Sequence, residues 1–200
     1  MKMRRHFIFV SFLIAAFLGP AAGLTLGQDT TTVTGTAVIY GSGRNTRTTT
    51  RTFTLTIKGQ TPPGDRSRYL NTLMEGGQDA LRNAIKDNDL GRFSLGSSTG
   101  NRLGAVAVDQ VDGKTRVRAV FERWIGFGEM RGGYRSVDYP FGYVEIVVDP
   151  RTGKGDGTFF PAARIRFKAG KNGGADTVEI EDFGTWPGRL MGVVMRGRRL

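Results

Sequence analysis

Alternating apolar and polar positions run through most of this chain. Over residues 48–58, Phe53, Leu55 and Ile57 occupy one face and threonines occupy the other. A period of two is typical of a strand with one buried and one solvated side. The same alternation over residues 32–40 predicts a preceding strand, and the two are expected to form an antiparallel hairpin.

A second region of alternation, residues 138–168, predicts another hairpin around a turn-rich loop at 150–157. In its first strand, Val144, Ile146 and Val148 share one apolar face. In its second strand, four apolar side chains are expected on a common face: Phe159, Ala163, Ile165 and Phe167. This pattern favours a sheet that is packed on one side and wet on the other.

Helical spacing occurs between the second and third predicted strands. Apolar residues recur at this spacing from Tyr69 to Met74 and again from Ala80 to Ile85, with Gly76 and Gly77 between the two runs. We therefore predict two short helices or one broken helix, with Asp65 as the N-cap.

Five further strands are predicted, around residues 93–95, 105–111, 115–125, 177–182 and 190–196. Connections are short and rich in glycine, so neighbouring strands are expected to pair antiparallel. The predicted fold class is mainly β (α+β). The architecture is an antiparallel barrel or sandwich of about eight strands, with a short helical insert between strands 2 and 3.

The first residues have the organisation of a secretory signal peptide. A basic stretch at 1–6 is followed by thirteen apolar residues at 7–19 and by small residues at 20–23. The apolar run is shorter than the roughly 20 residues needed to span a bilayer, so no membrane span is expected after cleavage. We predict a signal peptide at 1–23 and a single β-rich domain at 24–200, ordered from about residue 31. The mature protein would be periplasmic or secreted.

The absence of particular amino acids excludes more classes of catalytic chemistry than the net charge does. The 29 basic and 18 acidic residues give a net charge of +11, which falls to +8 when Lys2, Arg4 and Arg5 leave with the leader. The single histidine, His6, leaves as well, and the chain has no cysteine. A mature domain of this composition has no disulfide, no thiol nucleophile and no Ser-His-Asp triad. We predict no cofactor and no metal.

Five aromatic residues are candidates for an apolar ligand site at the mouth of a barrel: Trp124, Tyr134, Tyr139, Tyr143 and Trp186. Calycin-type barrels hold small apolar molecules in this way. The alternative is that these side chains pack in the core or at its rim, as large aromatic residues commonly do.

Two rows of basic residues form a candidate anion-binding patch. Arg116 and Arg118 alternate on one strand, and Arg164, Arg166 and Lys168 alternate on another. Such rows can bind an anionic polymer of the cell envelope. They can equally be charged outer faces that keep the sheet soluble. Nucleic acid is not expected as a partner of an exported protein that has none of the common RNA-binding motifs.

A pair of carboxylates supports a different class of function. Glu179 and Glu181 fall on the same face of a predicted strand, about 6.5–7 Å apart. Paired carboxylates are the general acid and base of glycoside hydrolases. The alternative is a solvated strand face.

Several segments together resemble a group of small exported bacterial β-rich proteins with no assigned function. The resemblance lies in residues 138–146, the Gly-Lys-Gly-Asp-Gly turn at 153–157, the closing segment 178–193 and the helical stretch 73–85. It implies an exported bacterial protein and carries no mechanism.

Three functions are consistent with these patterns. The first is an exported, non-enzymatic β-rich domain that binds a small apolar ligand or an anionic envelope partner. The second is a carboxylate-dependent hydrolase of an envelope polysaccharide. The third is a structural envelope protein. Whether the chain is an enzyme is left open, with a non-enzymatic role favoured by the absence of a catalytic constellation.

Overall fold

The computed structural model describes residues 30–40, 47–123, 125, 131, 135–170, 176–184 and 186–197. The predicted leader at 1–23 lies outside this range. The described elements are, in chain order, β1 (Thr31–Ile39), β2 (Thr49–Ile57), α1 (Pro63–Ile85), β3 (Gly91–Leu95), β4 (Asn101–Val111), β5 (Lys114–Glu122), a 3-10 turn (Arg135–Asp138), β6 (Phe141–Val148), β7 (Lys154–Lys168), β8 (Thr177–Asp182) and β9 (Gly188–Arg196).

Eight of the strands close into an antiparallel barrel. Strands β1 to β7 pair with their neighbours in sequence, β7 pairs with β9, and β9 pairs with β1 to complete the circle. Strand β8 lies outside the barrel and pairs with the second half of β7. The predicted β-rich architecture with a helical insert between strands 2 and 3 is confirmed, and the sheet closes into a barrel.

The barrel interior is filled by apolar side chains from all eight barrel strands. Phe93 lies at the centre of this cluster. Its ring centroid is 6.0 Å from that of Phe53, 5.4 Å from Phe121 and 5.0 Å from Phe159. The alternation of β2 arises here, because Phe53, Leu55 and Ile57 all point inward while the threonines between them point out.

A second apolar cluster lies between α1 and the outer face of the barrel. Tyr69, Leu73, Leu81 and Ile85 of the helix pack there against buried side chains of β6, β7 and β8. The helix is kinked at Gly77, whose backbone has φ 68° and ψ −166°. The predicted interruption at Gly76 and Gly77 is therefore present.

The helix begins earlier than the sequence predicts. Pro62 is the N-cap and Pro63 occupies the first helical position, where the missing N–H of proline has no consequence. Asp65 is not the N-cap; it lies in the first turn and pairs with Arg68 at 2.9 Å. A carboxylate there favours the positive end of the helix dipole.

Strand β7 corrects two predictions about residues 150–168. The strand begins at Lys154, so Gly155 and Gly157 belong to the sheet and not to the loop. A Cβ on Gly155 would lie 1.9 Å from the carbonyl oxygen of Val147, and one on Gly157 would lie 2.4 Å from that of Glu145. Glycine is needed there because neighbouring backbones approach closely, not because the chain turns.

The second correction concerns the face shared by the apolar residues of β7. Phe159 points into the barrel, whereas Ala163 and Ile165 pack beneath α1. A register irregularity opposite Gly142 separates the Tyr143–Phe160 pair from the Phe141–Ala163 pair. It lies around Pro161, which has no N–H to donate to a ladder. The extra residue moves the following side chains to the other side of the sheet.

Candidate functional site

A cavity of about 590 Å³ opens where the last turn of α1 meets β3, the start of β4 and the end of β5. Five basic side chains line it, and the acidic side chain among its lining residues is Glu122. The basic residues are Arg82, Lys86, Arg92, Arg102 and Arg123. This concentration of positive charge makes the cavity the candidate functional site.

Close contact between α1 and β4 forms one wall of the cavity. A Cβ on Gly104 would lie 2.9 Å from both Cγ1 and the carbonyl oxygen of Ile85, so the helix can approach this strand only at a glycine. Asn88 then fixes the chain beyond the helix. Its Nδ2 donates to the carbonyl oxygen of Gly104 at 2.7 Å and to the Tyr69 hydroxyl at 2.8 Å. These contacts place Lys86 at the cavity.

Two of the arginines are anchored by main-chain carbonyl groups. Nη1 of Arg92 donates to the carbonyl oxygen of Thr99 at 3.0 Å and to that of Gly100 at 3.3 Å. Nε of Arg123 donates to the carbonyl oxygen of Tyr139 at 2.6 Å. These carbonyl groups orient the guanidinium groups, and a carbonyl oxygen accepts a hydrogen bond without carrying a compensating charge.

Among the described residues, the acids near the cavity already have basic partners. Asp79 lies 3.9 Å from Nη2 of Arg82. Glu122 lies 3.8 Å from Nε of Arg82. Asp89 binds Nζ of Lys58 at 2.8 Å, and this hydrogen bond is the largest of the effects that lower the pKa of Asp89. Lys86 and Arg102 are exposed, and within the described residues neither is joined to a carboxylate by an ion pair. The cavity therefore keeps a net positive charge.

The first predicted basic row lies on the outside of β5 and is paired. Nη2 of Arg118 is 2.9 Å from Oδ1 of Asp109, and Nε of Arg116 is 3.0 Å from Oδ2 of the same carboxylate. The Arg118 side chain is 6% exposed. These arginines lie beside the helix and are largely withdrawn from solvent.

The second predicted row, on β7, lies near the start of β6, whereas the first row lies opposite the end of that strand. Arg164 pairs with Asp138 at 3.0 Å, and its guanidinium lies 4.9 Å from the ring centroid of Tyr139. Arg166 pairs with Glu181 at 3.1 Å, and Lys168 is half-buried near the end of β7. Arg118 is opposite Glu145, whereas these residues follow the Phe141–Ala163 pair. The structure therefore does not join the two rows into one patch.

Of the predicted aromatic site residues, the three that the structure describes do not meet in the barrel interior. Tyr143 is buried beneath α1, where its hydroxyl donates to Oε2 of Glu145 at 2.7 Å. Burial, and secondarily Glu145, raises the pKa of Tyr143. Tyr139 packs against Phe183, at 5.2 Å between ring centroids, and Trp186 is 55% exposed. Trp124 and Tyr134 lie outside the described residues.

The paired carboxylates of β8 have structural partners. Glu181 accepts a hydrogen bond from the Tyr139 hydroxyl at 2.7 Å and pairs with Arg166. Glu179 lies opposite Arg166 in the register of β7 and β8. Asp182, the third carboxylate that the sequence places on this strand, is the more unusual acid. Burial raises its pKa to about 7, although hydrogen bonds from the backbone of Gly184 and Phe183 oppose this.

Comparisons with protein-family models, with curated proteins and with solved structures found no match to this chain. Among the described residues, no cluster of three or more metal-ligating side chains is present. None of the helices in the same part of the chain has both the length and the apolar character needed to cross a bilayer.

The sequence did not identify the cavity because its residues are far apart and each has an ordinary local explanation. Arg82 and Lys86 complement the dipole at the end of a helix. Arg92 and Arg102 each occupy the polar face of a strand. A signal was nevertheless present: a hairpin around the Gly/Ser-rich turn at 96–100 places residues 92 and 102 opposite each other.

Proposed function

We propose that this protein is an exported, non-catalytic binding domain whose basic cavity holds an oxyanion-bearing polymer of the cell envelope. The observation that carries the proposal is the excess of cations in the cavity, five against Glu122. Guanidinium groups present planar, forked donors that match phosphate and carboxylate groups. The volume of about 590 Å³ also suits a ligand group of several non-hydrogen atoms.

Phosphate-rich polymers are the preferred ligand class. Four of the five cations are arginines, whose forked donors favour bidentate binding of an oxyanion such as phosphate over a diffuse attraction to negative charge. The two basic rows and the threonine faces of nearby strands are not expected to compete with the cavity for the ligand. The arginines of the rows are already matched by carboxylates: Arg116, Arg118, Arg164 and Arg166. Binding at the cavity is therefore expected to be local and to depend on few residues.

The test is titration of the folded protein with inorganic polyphosphate, with the affinity measured by isothermal titration calorimetry. Raising NaCl from about 0.1 M to about 1 M shortens the Debye length from about 10 Å to about 3 Å, so the affinity should fall steeply. Arg102→Gln should weaken binding at least tenfold. Arg189→Gln, which removes the same charge from an exposed site on β9, should leave binding unchanged.

Competition identifies the source of the ligand. Purified lipoteichoic acid and lipopolysaccharide both carry phosphate, and displacement of polyphosphate by either one supports an envelope ligand and says which. Equal affinities for the Arg102→Gln and Arg189→Gln variants would overturn the assignment of the cavity. Failure of both envelope polymers to compete would overturn the envelope role.

A further inference from the structure

One seam of the barrel is much shorter than the others. Strands β3 and β4 share two residue pairs, Arg92–Arg102 and Phe93–Asn101. Each of the other seven seams has between five and nine pairs. Because the barrel is closed, its integrity at this point depends on these two pairs, on the hydrogen bond from the Leu90 N–H to the Leu103 carbonyl oxygen at 3.1 Å, and on the side chains around them.

One of the two pairs places like charges face to face. Residues directly opposite on antiparallel strands have Cβ atoms about 5 Å apart, and two like charges there are destabilising. Arg92 and Arg102 are both exposed, on the outer side of their strands, since Phe93 and Leu103 point inward. The shortest seam is therefore also one that charge repulsion weakens.

Neighbouring groups hold the Arg92–Arg102 pair in place, and Lys86 brings a further positive charge close to it. Arg92 is tied by Nη1 to the carbonyl oxygens of Thr99 and Gly100 in the β3–β4 turn. That turn is tight, because a Cβ on Gly100 would lie 2.4 Å from the carbonyl oxygen of Phe93. Lys86 lines the same cavity. Asp89 also acts on Arg102, and its carboxylate is bound to Lys58.

We infer that a phosphate group of the ligand binds between Arg92 and Arg102 and thereby closes the β3–β4 seam. The group accepts hydrogen bonds from both guanidinium groups, so a repulsive cross-strand pair becomes a bridged one. Binding and barrel stability are then linked, because the ligand favours the closed seam over a locally opened one. This inference rests on the proposed function and assigns it a consequence for the fold.

The linkage gives Arg102 an unusual signature. For wild-type protein, inorganic phosphate at about 100 times its Kd should raise the unfolding midpoint by roughly 5–10 °C relative to chloride of equal ionic strength. Hydrogen exchange of the β3 amides should slow as well, and by more than that of the β1 amides, which are remote from the seam. Arg102→Gln should unfold at an equal or higher temperature without phosphate, since repulsion is removed, and should lose the response to phosphate.

A second variant mimics the bound state. Arg102→Glu places a carboxylate opposite Arg92, so it should raise the midpoint without phosphate and make it insensitive to phosphate. A lower midpoint for both Arg102 variants in chloride would show that Arg102 stabilises the fold directly, and would overturn the inference. An equal response to phosphate in wild type and Arg102→Gln would overturn it too, since general salt effects act on both.

Failure of this inference can be told apart from failure of the proposed function. If polyphosphate binds through Arg102 but exchange in β3 slows no more than exchange in β1, the cavity is a binding site that does not close the seam. If polyphosphate does not bind at low salt, both fail.

Discussion

At the scale of single residues, Asp109 holds together the largest group of charges beside the helix. Its two carboxylate oxygens bind Arg116 and Arg118. Arg66 of α1 lies near enough to be affected. Its pKa is lowered by burial and by Arg118, and Asp109 acts in the opposite direction. The Asp109 carboxylate thus acts on three arginines at the junction of helix and barrel, and Glu145 also acts on Arg116.

We predict that Asp109→Asn destabilises the protein by about 3–5 kcal/mol, because it removes a carboxylate that binds both Arg116 and the 6% exposed side chain of Arg118 in a poorly solvated site. The free energy of unfolding, from urea denaturation at neutral pH, measures this. Asp156→Asn is the matched control, since Asp156 is an exposed acid on β7. Its effect should stay within about 0.5 kcal/mol. A loss below about 1 kcal/mol for Asp109→Asn would contradict the prediction.

At the scale of elements, β7 is the strand that pairs with three others, β6, β8 and β9. Its first half lies between β6 and β9, and its second half pairs with β8. Gly155 is opposite Val148 on one neighbour and Val193 on the other. The strand closes the barrel, so an error in its fit affects the seams on both sides.

We predict that Gly155→Ala costs about 3 kcal/mol of stability, because the new methyl group would meet the Val147 carbonyl at 1.9 Å and the strand must move. Chemical denaturation provides the measurement. Gly64→Ala is a matched control, since no atom lies within 4 Å of its Cβ position in the first turn of α1. That substitution should be neutral or stabilising by up to about 1 kcal/mol. Similar free energies for the two variants would refute the steric argument.

The elements themselves were largely predictable from local pattern. Alternation in β2 and β6 identified the strands and their buried faces, and the interrupted helical spacing predicted the kink at Gly77. The sequence predicts a loop at Gly155 and Gly157, and this prediction is wrong. A glycine required by close packing of strands cannot be distinguished in sequence from a glycine required by a turn. The irregularity near Pro161 was also missed, since it depends on pairing with Gly142 and not on the local period.

At the scale of the whole molecule, Asp182 makes stability depend on pH. Its pKa is raised from 3.8 to about 7. Below pH 4 the acid is protonated in both folded and unfolded chains and the fold bears no penalty. Between pH 4 and 7 the unfolded chain releases a proton that the folded chain retains, so stability falls as pH rises. Above pH 7 the penalty is complete, at most about 4 kcal/mol.

We predict that Asp182→Asn abolishes this contribution, because an amide resembles the protonated acid and its oxygen can still accept from the N–H of Gly184. Urea denaturation of wild type and variant should be compared from pH 4 to pH 8. The variant should be about as stable as wild type at pH 4 and increasingly more stable towards pH 8. Other acids cancel in this difference. A constant difference across the range would refute the assignment.

The cavity could not be predicted from sequence because it depends on closure of the barrel. Arg82, Arg102 and Arg123 come together only when the end of α1, the start of β4 and the end of β5 are adjacent. The rows that the sequence did emphasise, at Arg116 and Arg164, turned out to have acidic neighbours on adjoining strands or turns. Regular spacing shows which residues share a face, but charge balance across strands decides which of them remain available.

Helix α1 is inserted between β2 and β3 without interrupting the pairing of these two strands. The chain leaves β2 at Lys58 and re-enters at Leu90, and the N–H of Lys58 donates to the Leu90 carbonyl oxygen at 2.9 Å. Ile57 and Gly91 are already cross-strand partners. The whole excursion therefore spans what a short hairpin turn would span. A helix of different length that keeps the apolar face packed on β6, β7 and β8 should therefore fit between these two residues without altering strand number or shear, so the polar rim of the cavity can vary while the barrel is kept.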